Sequence, residues 1–261
     1  MVEIAKKEEE GDFLKFLGTA GARFVMIKQL RASGGIWVSC KGTNILIDPG
    51  PGSVVRCSAS RPKLDPGKLD GIILTHKHLD HSGDINVMIE GMTEGGFKKR
   101  GVVFAPKDAL EKDAVIFQYL RGFPEKIGTL SARKSYNIGK FGFETSMKHI
   151  HPVETYGLKF GINGEKIGLL VDTRYFEKLA GFYRVDTLII GVVFFDPHPA
   201  IDHLSFTDVE TLVKEIKPKR AVLNHFGMSM LKSRPHIQAE KLSQKLGIEV
   251  VAAYDGMTLR F

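Results

Sequence analysis

A chain of 261 residues, 43% of them hydrophobic, has enough apolar material for one large core or two small ones, which excludes a disordered or fibrous class. Its net charge of +7 suits phosphate-bearing substrates or nucleic acid, and equally an ordinary Lys-rich surface. Two cysteines outside any CxxC, a charged start and no apolar run longer than Leu188–Phe195 argue against a disulfide framework, a signal peptide and a membrane span, so the expected setting is the cytoplasm.

Residues 1–12 read as a charged leader and residues 13–261 as a single domain, because neither a repeat nor a linker interrupts them. Phe13–Phe24 reads as a strand followed by a glycine-bearing turn. Two strands flank Lys41-Gly42-Thr43 as a hairpin, and the second stops at Asp48 because Pro49-Gly50-Pro51-Gly52 cannot continue it. Leu69–Thr75 is a buried-type strand, followed by a helix in the segment GDINVMIEGM. The middle alternates short strands, GVVFAP and YNIGKFGFETSMKHI, with a helical stretch near Lys107–Leu120. A further hairpin turns at Asn163-Gly164, and its second strand ends on Asp172. DTLII and RAVLNH add two strands, each with an amphipathic helix beyond it, and Ser205 and Asp208 stand at capping-box spacing before the first helix. The chain ends on a strand, an Asp-Gly turn and another strand. Strands early and late with helices between predict an α/β architecture of two sheets covered by helices.

Asp48, His76, Asp172 and His225 each sit where an apolar strand ends, a usual place for a site in a layered sheet structure. The segment LTHKHLDHSG uses three of the chain's nine histidines within six positions. Residues two apart on extended backbone point the same way, so His76 and His78 can grip one ion together. The following turn swings Asp80 and His81 toward a second position. Imidazole nitrogen and carboxylate oxygen suit Zn²⁺, with Mn²⁺ or Fe²⁺ as runners-up. A loop of merely solvated histidines does not explain four ligand-type residues behind a buried strand.

The spacing H-x-H-x-D-H resembles the signature of the metallo-β-lactamase superfamily. The resemblance runs from Phe13 to Phe261 and supplies five motifs in order: Asp48, the cluster itself, His151, Asp172 in GLLVDT and His225 in VLNHFG. It implies a four-layer αββα sandwich holding two divalent ions. His76, His78 and His151 would hold one ion, Asp80, His81 and His225 the other, and Asp172 would bridge them. Asp48 would stand behind the ligands and orient their histidines through hydrogen bonds. His149 competes with His151, but the family places a glycine six residues after its third histidine, and Gly157 answers to His151. That leaves His149 as a surface or supporting residue, and His198 and His236 as exposed ones.

The resemblance further implies hydrolysis by a metal-bridging hydroxide, with ions about 4 Å apart and Asp80 accepting the proton. His203 is either a loop residue ahead of a helix or, as in phosphodiesterase branches, a group that stabilises the transition state or protonates the leaving group. FLGTAGARF resembles the FLGT start of ribonuclease Z and related phosphodiesterases, and Gly18–Gly21 could cradle phosphate or be a tight turn. His203-Leu204-Ser205-Phe206 departs from the His-Glu-Ala-Thr motif of ribonuclease Z, and no tRNA-binding arm is visible. Lys98-Lys99-Arg100 reads as a solvated turn. The expectation is a dinuclear phosphodiesterase acting on a small-molecule or nucleic-acid phosphodiester, with a homo-oligomer left open. The alternatives are an ester, thioester or lactone hydrolase, and a non-hydrolytic metal-containing binding or biosynthesis-assisting protein.

Overall fold

Side chains in the central strands alternate between two different cores, and that alternation defines the layers. A computed structural model describes residues 11–111 and 113–261; residues 1–10, most of the charged leader, lie outside the described residues. The strands are β1 (Phe13–Phe16), β2 (Ile36–Cys40), β3 (Thr43–Ile47), β4 (Gly71–Ile73), β5 (Val102–Ala105), β6 (Lys126–Thr129) and β7 (Ser135–Ile138). They continue as β8 (Phe141–Lys148), β9 (Tyr156–Ile162), β10 (Glu165–Leu170), β11 (Thr187–Gly191), β12 (Arg220–Asn224), β13 (Glu249–Ala252) and β14 (Thr258–Arg260). One sheet runs β14-β1-β2-β3-β4-β5-β6 and the other β13-β12-β11-β10-β9-β8-β7. Both are mixed: β14 to β3 and β7 to β10 pair antiparallel, while β3 to β6 and β10 to β13 pair parallel.

Ile45 and Ile47 of β3 face Phe143, Leu158, Phe160 and Ile189 of the other sheet, whereas Leu46 between them joins a second core with Ile72, Met88 and Ile89. On β11, Ile189 enters the inter-sheet core, while Leu188 and Ile190 enter a third core with Val209, Leu212 and Val213. A strand buried on both faces needs cover on both, and helices supply it. The helices are α1 (Ala22–Ile27), α2 (Ser53–Ala59), α3 (Leu79–Ser82), α4 (Ile85–Met92), α5 (Leu179–Phe182), α6 (Phe206–Ile216), α7 (Met228–Lys232) and α8 (Pro235–Leu246). The result is the expected αββα order. Helix α6 shows the local logic: Ser205 and Asp208 form a capping box, and Val209, Leu212, Val213 and Ile216 bury one stripe.

Two local expectations differ from the structure. The stretch near Lys107–Leu120 is two 3-10 turns, Lys107–Ala109 and Gln118–Gly122, because Asp113 takes a left-handed φ of 57° that no α-helix accommodates. Its apolar residues Ala109, Ile116 and Leu120 serve as separate anchors on the outer core. YNIGKFGFETSMKHI is a hairpin, β7 and β8, that turns at Gly139 with φ 54°. The closing strand, Asp-Gly turn and strand form as expected; β13 and β14 lie in different sheets, so the Asp255-Gly256 turn joins the two layers. Cys40 and Cys57 are free and buried. Arg100 donates to the carbonyls of Gly67 and Leu69, which makes the basic turn partly structural. Among the described residues no helix is long and apolar enough to cross a membrane.

Candidate metal centre

The carboxyl ends of β3, β4, β10 and β12 deliver Asp48, His76, Asp172 and His225 to one edge of the sandwich. The two sheets are joined there by a bridge between Ala20 and Phe226, closed by Phe226 N–H to the Thr19 carbonyl (2.9 Å) and Gly21 N–H to the Phe226 carbonyl (3.0 Å). A Cβ on Gly21 would overlap the His225 backbone, so only glycine lets the turn approach this closely. Asp48 and His225 both hold left-handed backbone, with φ of 53° and 58°. Such positions cost about 1–2 kcal/mol for an L residue and are characteristic of functional sites.

Two imidazole pairs face each other nitrogen to nitrogen. His78 Nδ1 is 3.0 Å from His151 Nε2, and His81 Nε2 is 2.9 Å from His225 Nε2. The Asp172 carboxylate lies between the pairs. Its Oδ2 is 3.5 Å from His76 Nε2, 3.7 Å from His81 Nε2 and 3.8 Å from His151 Nε2; its Oδ1 is 3.3 Å from His225 Nδ1. Asp80 Oδ2 is 3.4 Å from His225 Nε2 and 3.9 Å from His81 Nε2. His76, His78, His151 and Asp172 thus form one possible ligand group, and Asp80, His81 and His225 another.

Hydrogen bonds behind the rings decide which nitrogens carry protons. His81 Nδ1 donates to Asp48 Oδ2 (3.0 Å), and His151 Nδ1 donates to the Asp202 carbonyl (3.0 Å). The Thr75 hydroxyl donates to Asp48 Oδ2 (2.7 Å), leaving its oxygen to accept from His76 Nδ1 (3.1 Å). In its neutral form each of the three rings therefore turns an unprotonated Nε2 inward. Lone pairs so close together repel unless a cation or a proton lies between them. His76 Nε2 and His225 Nδ1 are buried without a hydrogen-bond partner, so each has a lone pair or a proton that no protein group satisfies and that a metal ion would. Nitrogen and carboxylate donors with fixed tautomers fit a divalent ion of the Zn²⁺ type.

The electrostatics agree. Burial, with the neighbouring His81 adding to it, lowers the His76 pKa to about 3, so its ring is neutral. Burial opposes charge on Asp172, but the surrounding His225, His203, His76 and His81 rings outweigh it and hold the carboxyl well below its usual range. Burial likewise opposes charge on His81, yet Asp80 and Asp48 raise its pKa well above the usual value, so its Nε2 takes either a cation or a proton, which then lies between it and His225 Nε2.

Supporting contacts reveal residues that the sequence reading did not single out. Ala22 N–H donates to Asp80 Oδ2 (3.1 Å), and within the turn after β1 the amides of Thr19, Ala20 and Gly21 are already taken by Asp255 and the carbonyls of Ala32 and Phe226. His149 is buried and is not a surface residue: its Nδ1 donates to the Asp172 carbonyl (3.1 Å), and Tyr183 Oη donates to its Nε2 (2.9 Å). Ile150 N–H to Thr173 Oγ1 (3.2 Å) and Arg174 N–H to the Ile150 carbonyl (3.1 Å) zip the two ligand-bearing segments together. A Cβ on Gly157 would overlap the Tyr183 hydroxyl, a physical reason for glycine at that position. His203 Nδ1 is 3.7 Å from Asp172 Oδ2, which places the ring at the centre. His198 is exposed, as expected.

Comparison with known proteins agrees with this geometry. The family described as Beta-lactamase superfamily domain matches residues 43–226, which span the chain from β3 to the end of β12. The chain belongs to the metallo-β-lactamase superfamily. It is a metal-dependent hydrolase. It is 30% identical over 254 residues to the uncharacterized protein MJ1374 of Methanocaldococcus jannaschii, covering 93% of this chain and 92% of that protein. It is also 30% identical over 148 residues to a ribonuclease Z of Thermococcus onnurineus, covering 56% of this chain and 39% of the enzyme. In fold it superposes on the metallo-beta-lactamase fold protein YhfI from Bacillus subtilis with a TM-score of 0.78 at 20% identity, covering 97% and 100% of the two chains.

Proposed function

We propose that the chain is a dinuclear phosphodiesterase acting on a nucleotide-like or RNA substrate. One observation carries the reading: the Asp172 carboxylate is shared between two complete groups of donors, His76, His78 and His151 on one side and Asp80, His81 and His225 on the other. The partial likeness to ribonuclease Z supports a phosphodiester rather than a carboxyl ester. Zinc is the ion that the nitrogen-rich donor set favours.

Divalent ions held by these residues would supply Lewis acidity for the phosphoryl oxygens and would bring the pKa of water down to about 7. The protein does the rest. Asp172 fixes the spacing of the two donor groups. Asp80, held by the Ala22 amide, accepts the proton of the attacking water on its carboxylate. His203 is mostly buried, and burial lowers its pKa despite the nearby Asp172, so the ring rests neutral beside the carboxylate. With Nδ1 toward Asp172, its Nε2 is left to serve the leaving oxygen.

The test is metal content per chain, followed by bis(p-nitrophenyl) phosphate turnover before and after stripping and refilling, with p-nitrophenyl acetate in parallel. Two ions per chain with metal-restored phosphodiester turnover is the expected result. Turnover of the acetate alone would overturn the phosphodiester reading in favour of an ester hydrolase, and absence of metal affinity would overturn the centre itself.

A further inference from the structure

A cavity of about 690 Å³ opens directly beside the metal centre, with His203 in its wall. Arg23 and Phe24 of α1 line it together with Phe194, His198 and Ile201. Its size falls within the range of small-molecule sites, about 300–1,000 Å³. Phe24 is 61% exposed and Ile201 42%, large apolar side chains held open to water at the mouth of the site rather than folded into a core.

The walls are not merely apolar. A ladder of rings leads outward from the centre: His151 to His203 at 5.1 Å, His203 to Phe194 at 6.2 Å, and Phe194 to His198 at 5.0 Å with an interplanar angle of 25°. Ring faces of this kind attract another flat ring by offset stacking. Arg23 and Asp196, also in the wall, have no side-chain partners among the described residues. An alkyl chain would strip water from both charges and return nothing, whereas the polar edge of a heterocycle can meet a donor and an acceptor.

We propose that this cavity is a nucleobase subsite, and that the chain selects nucleoside-sized phosphodiesters in which a flat heterocyclic group sits against Phe194 and His198 with Phe24 closing over it. The proposal rests on the phosphodiester reading above, since it places the phosphate at the metal centre and the nucleoside beside it. Stacking of one base on aromatic side chains contributes about 1–3 kcal/mol, or roughly fivefold to 150-fold in affinity.

The experiment is calorimetric titration of the zinc-loaded full chain with three probes that share a phosphate: AMP, ribose 5-phosphate and hexyl phosphate. The expected result is AMP binding at least about tenfold more tightly than either of the others. In Phe24→Ala and Phe194→Ala that preference falls to about threefold or less. Phe97→Ala, which removes an aromatic side chain 94% exposed outside the cavity, keeps it. Equal binding of AMP and ribose 5-phosphate would overturn the subsite, and hexyl phosphate binding as tightly as AMP would show a cavity that reads only apolarity. Bis(p-nitrophenyl) phosphate turnover on the same preparation separates the two readings. No turnover with the AMP preference intact overturns the phosphodiesterase reading alone, and turnover without the preference overturns the subsite alone.

Discussion

Replacing Asp48 with Asn tests whether the centre depends on tautomers set from behind. Asp48 accepts three hydrogen bonds: from Thr75 N–H at 2.6 Å on Oδ1, and from Thr75 Oγ1 at 2.7 Å and His81 Nδ1 at 3.0 Å on Oδ2. An asparagine keeps one acceptor, which the Thr75 amide claims because a backbone N–H can only donate. Its NH₂ then faces His81 Nδ1 and can only donate, so the His81 proton moves to Nε2. That nitrogen faces His225 and Asp80 and no longer offers a lone pair. Loss of such an orienting partner weakens metal affinity by about 10–100-fold, or about 1.4–2.7 kcal/mol. This agrees with the roughly 1.5–3 kcal/mol of a hydrogen bond to a charged group. His151 keeps its own acceptor, the Asp202 carbonyl, and the Thr75 hydroxyl oxygen has two lone pairs, enough to accept from the new NH₂ and still from His76 Nδ1, so one ion should weaken and the other should not. Titration of the metal-stripped chain with zinc against a chromogenic chelator, with circular dichroism to confirm folding, reads both steps. Two unchanged steps would refute the tautomer argument, and two equally weakened steps would show damage to the whole centre.

Tyr183→Phe removes the donor to His149 Nε2 and leaves a buried nitrogen unpaired, which should cost about 1–3 kcal/mol in urea denaturation; a midpoint equal to wild type would sink the relay. His203→Ala should lower kcat on bis(p-nitrophenyl) phosphate by about 10²–10⁴-fold while two ions remain bound; full activity would return His203 to the status of a loop residue. Burial holds the His149 pKa at about 4, against about 6.5 in an unfolded chain. The unfolded state therefore takes up the proton first as pH falls, and the metal-free chain loses roughly 3 kcal/mol from this group between about pH 6.5 and pH 4, with none lost above. His149→Gln lacks that loss, so the stability gap between the two proteins should shift in the variant's favour from pH 7.5 to pH 5. A gap that does not move would mean the ring is not buried neutral.

Fold and ligands were legible to different depths. Asn163-Gly164 and Lys41-Gly42 announce hairpins because only certain residues tolerate those turns, and both hairpins form. The segment at Lys107–Leu120 misled, because apolar spacing cannot separate a helix from irregular chain that anchors the same core at three points. The seven metal-ligating candidates, His76, His78, Asp80, His81, His151, Asp172 and His225, stand out because their chemistry resides in side chains, which a sequence states outright. Three of them follow from backbone period alone, since His76 and His78 share a side of extended chain and the turn at α3 brings His81 back beside them.

What tertiary structure decided is everything that acts through groups common to all residues or through closeness without spacing. The amide of Ala22 on Asp80 and the carbonyl of Asp202 on His151 leave no trace in composition, because every residue carries a backbone carbonyl and nearly every one an amide. Tyr183 lies 34 positions from His149, and only the packing of α5 against the second sheet makes it the donor that holds that ring. Sequence determined which atoms could bind metal. Folding decided which nitrogen of each ring faces inward, because a tautomer is set by the acceptor behind it, and that acceptor comes from elsewhere in the chain.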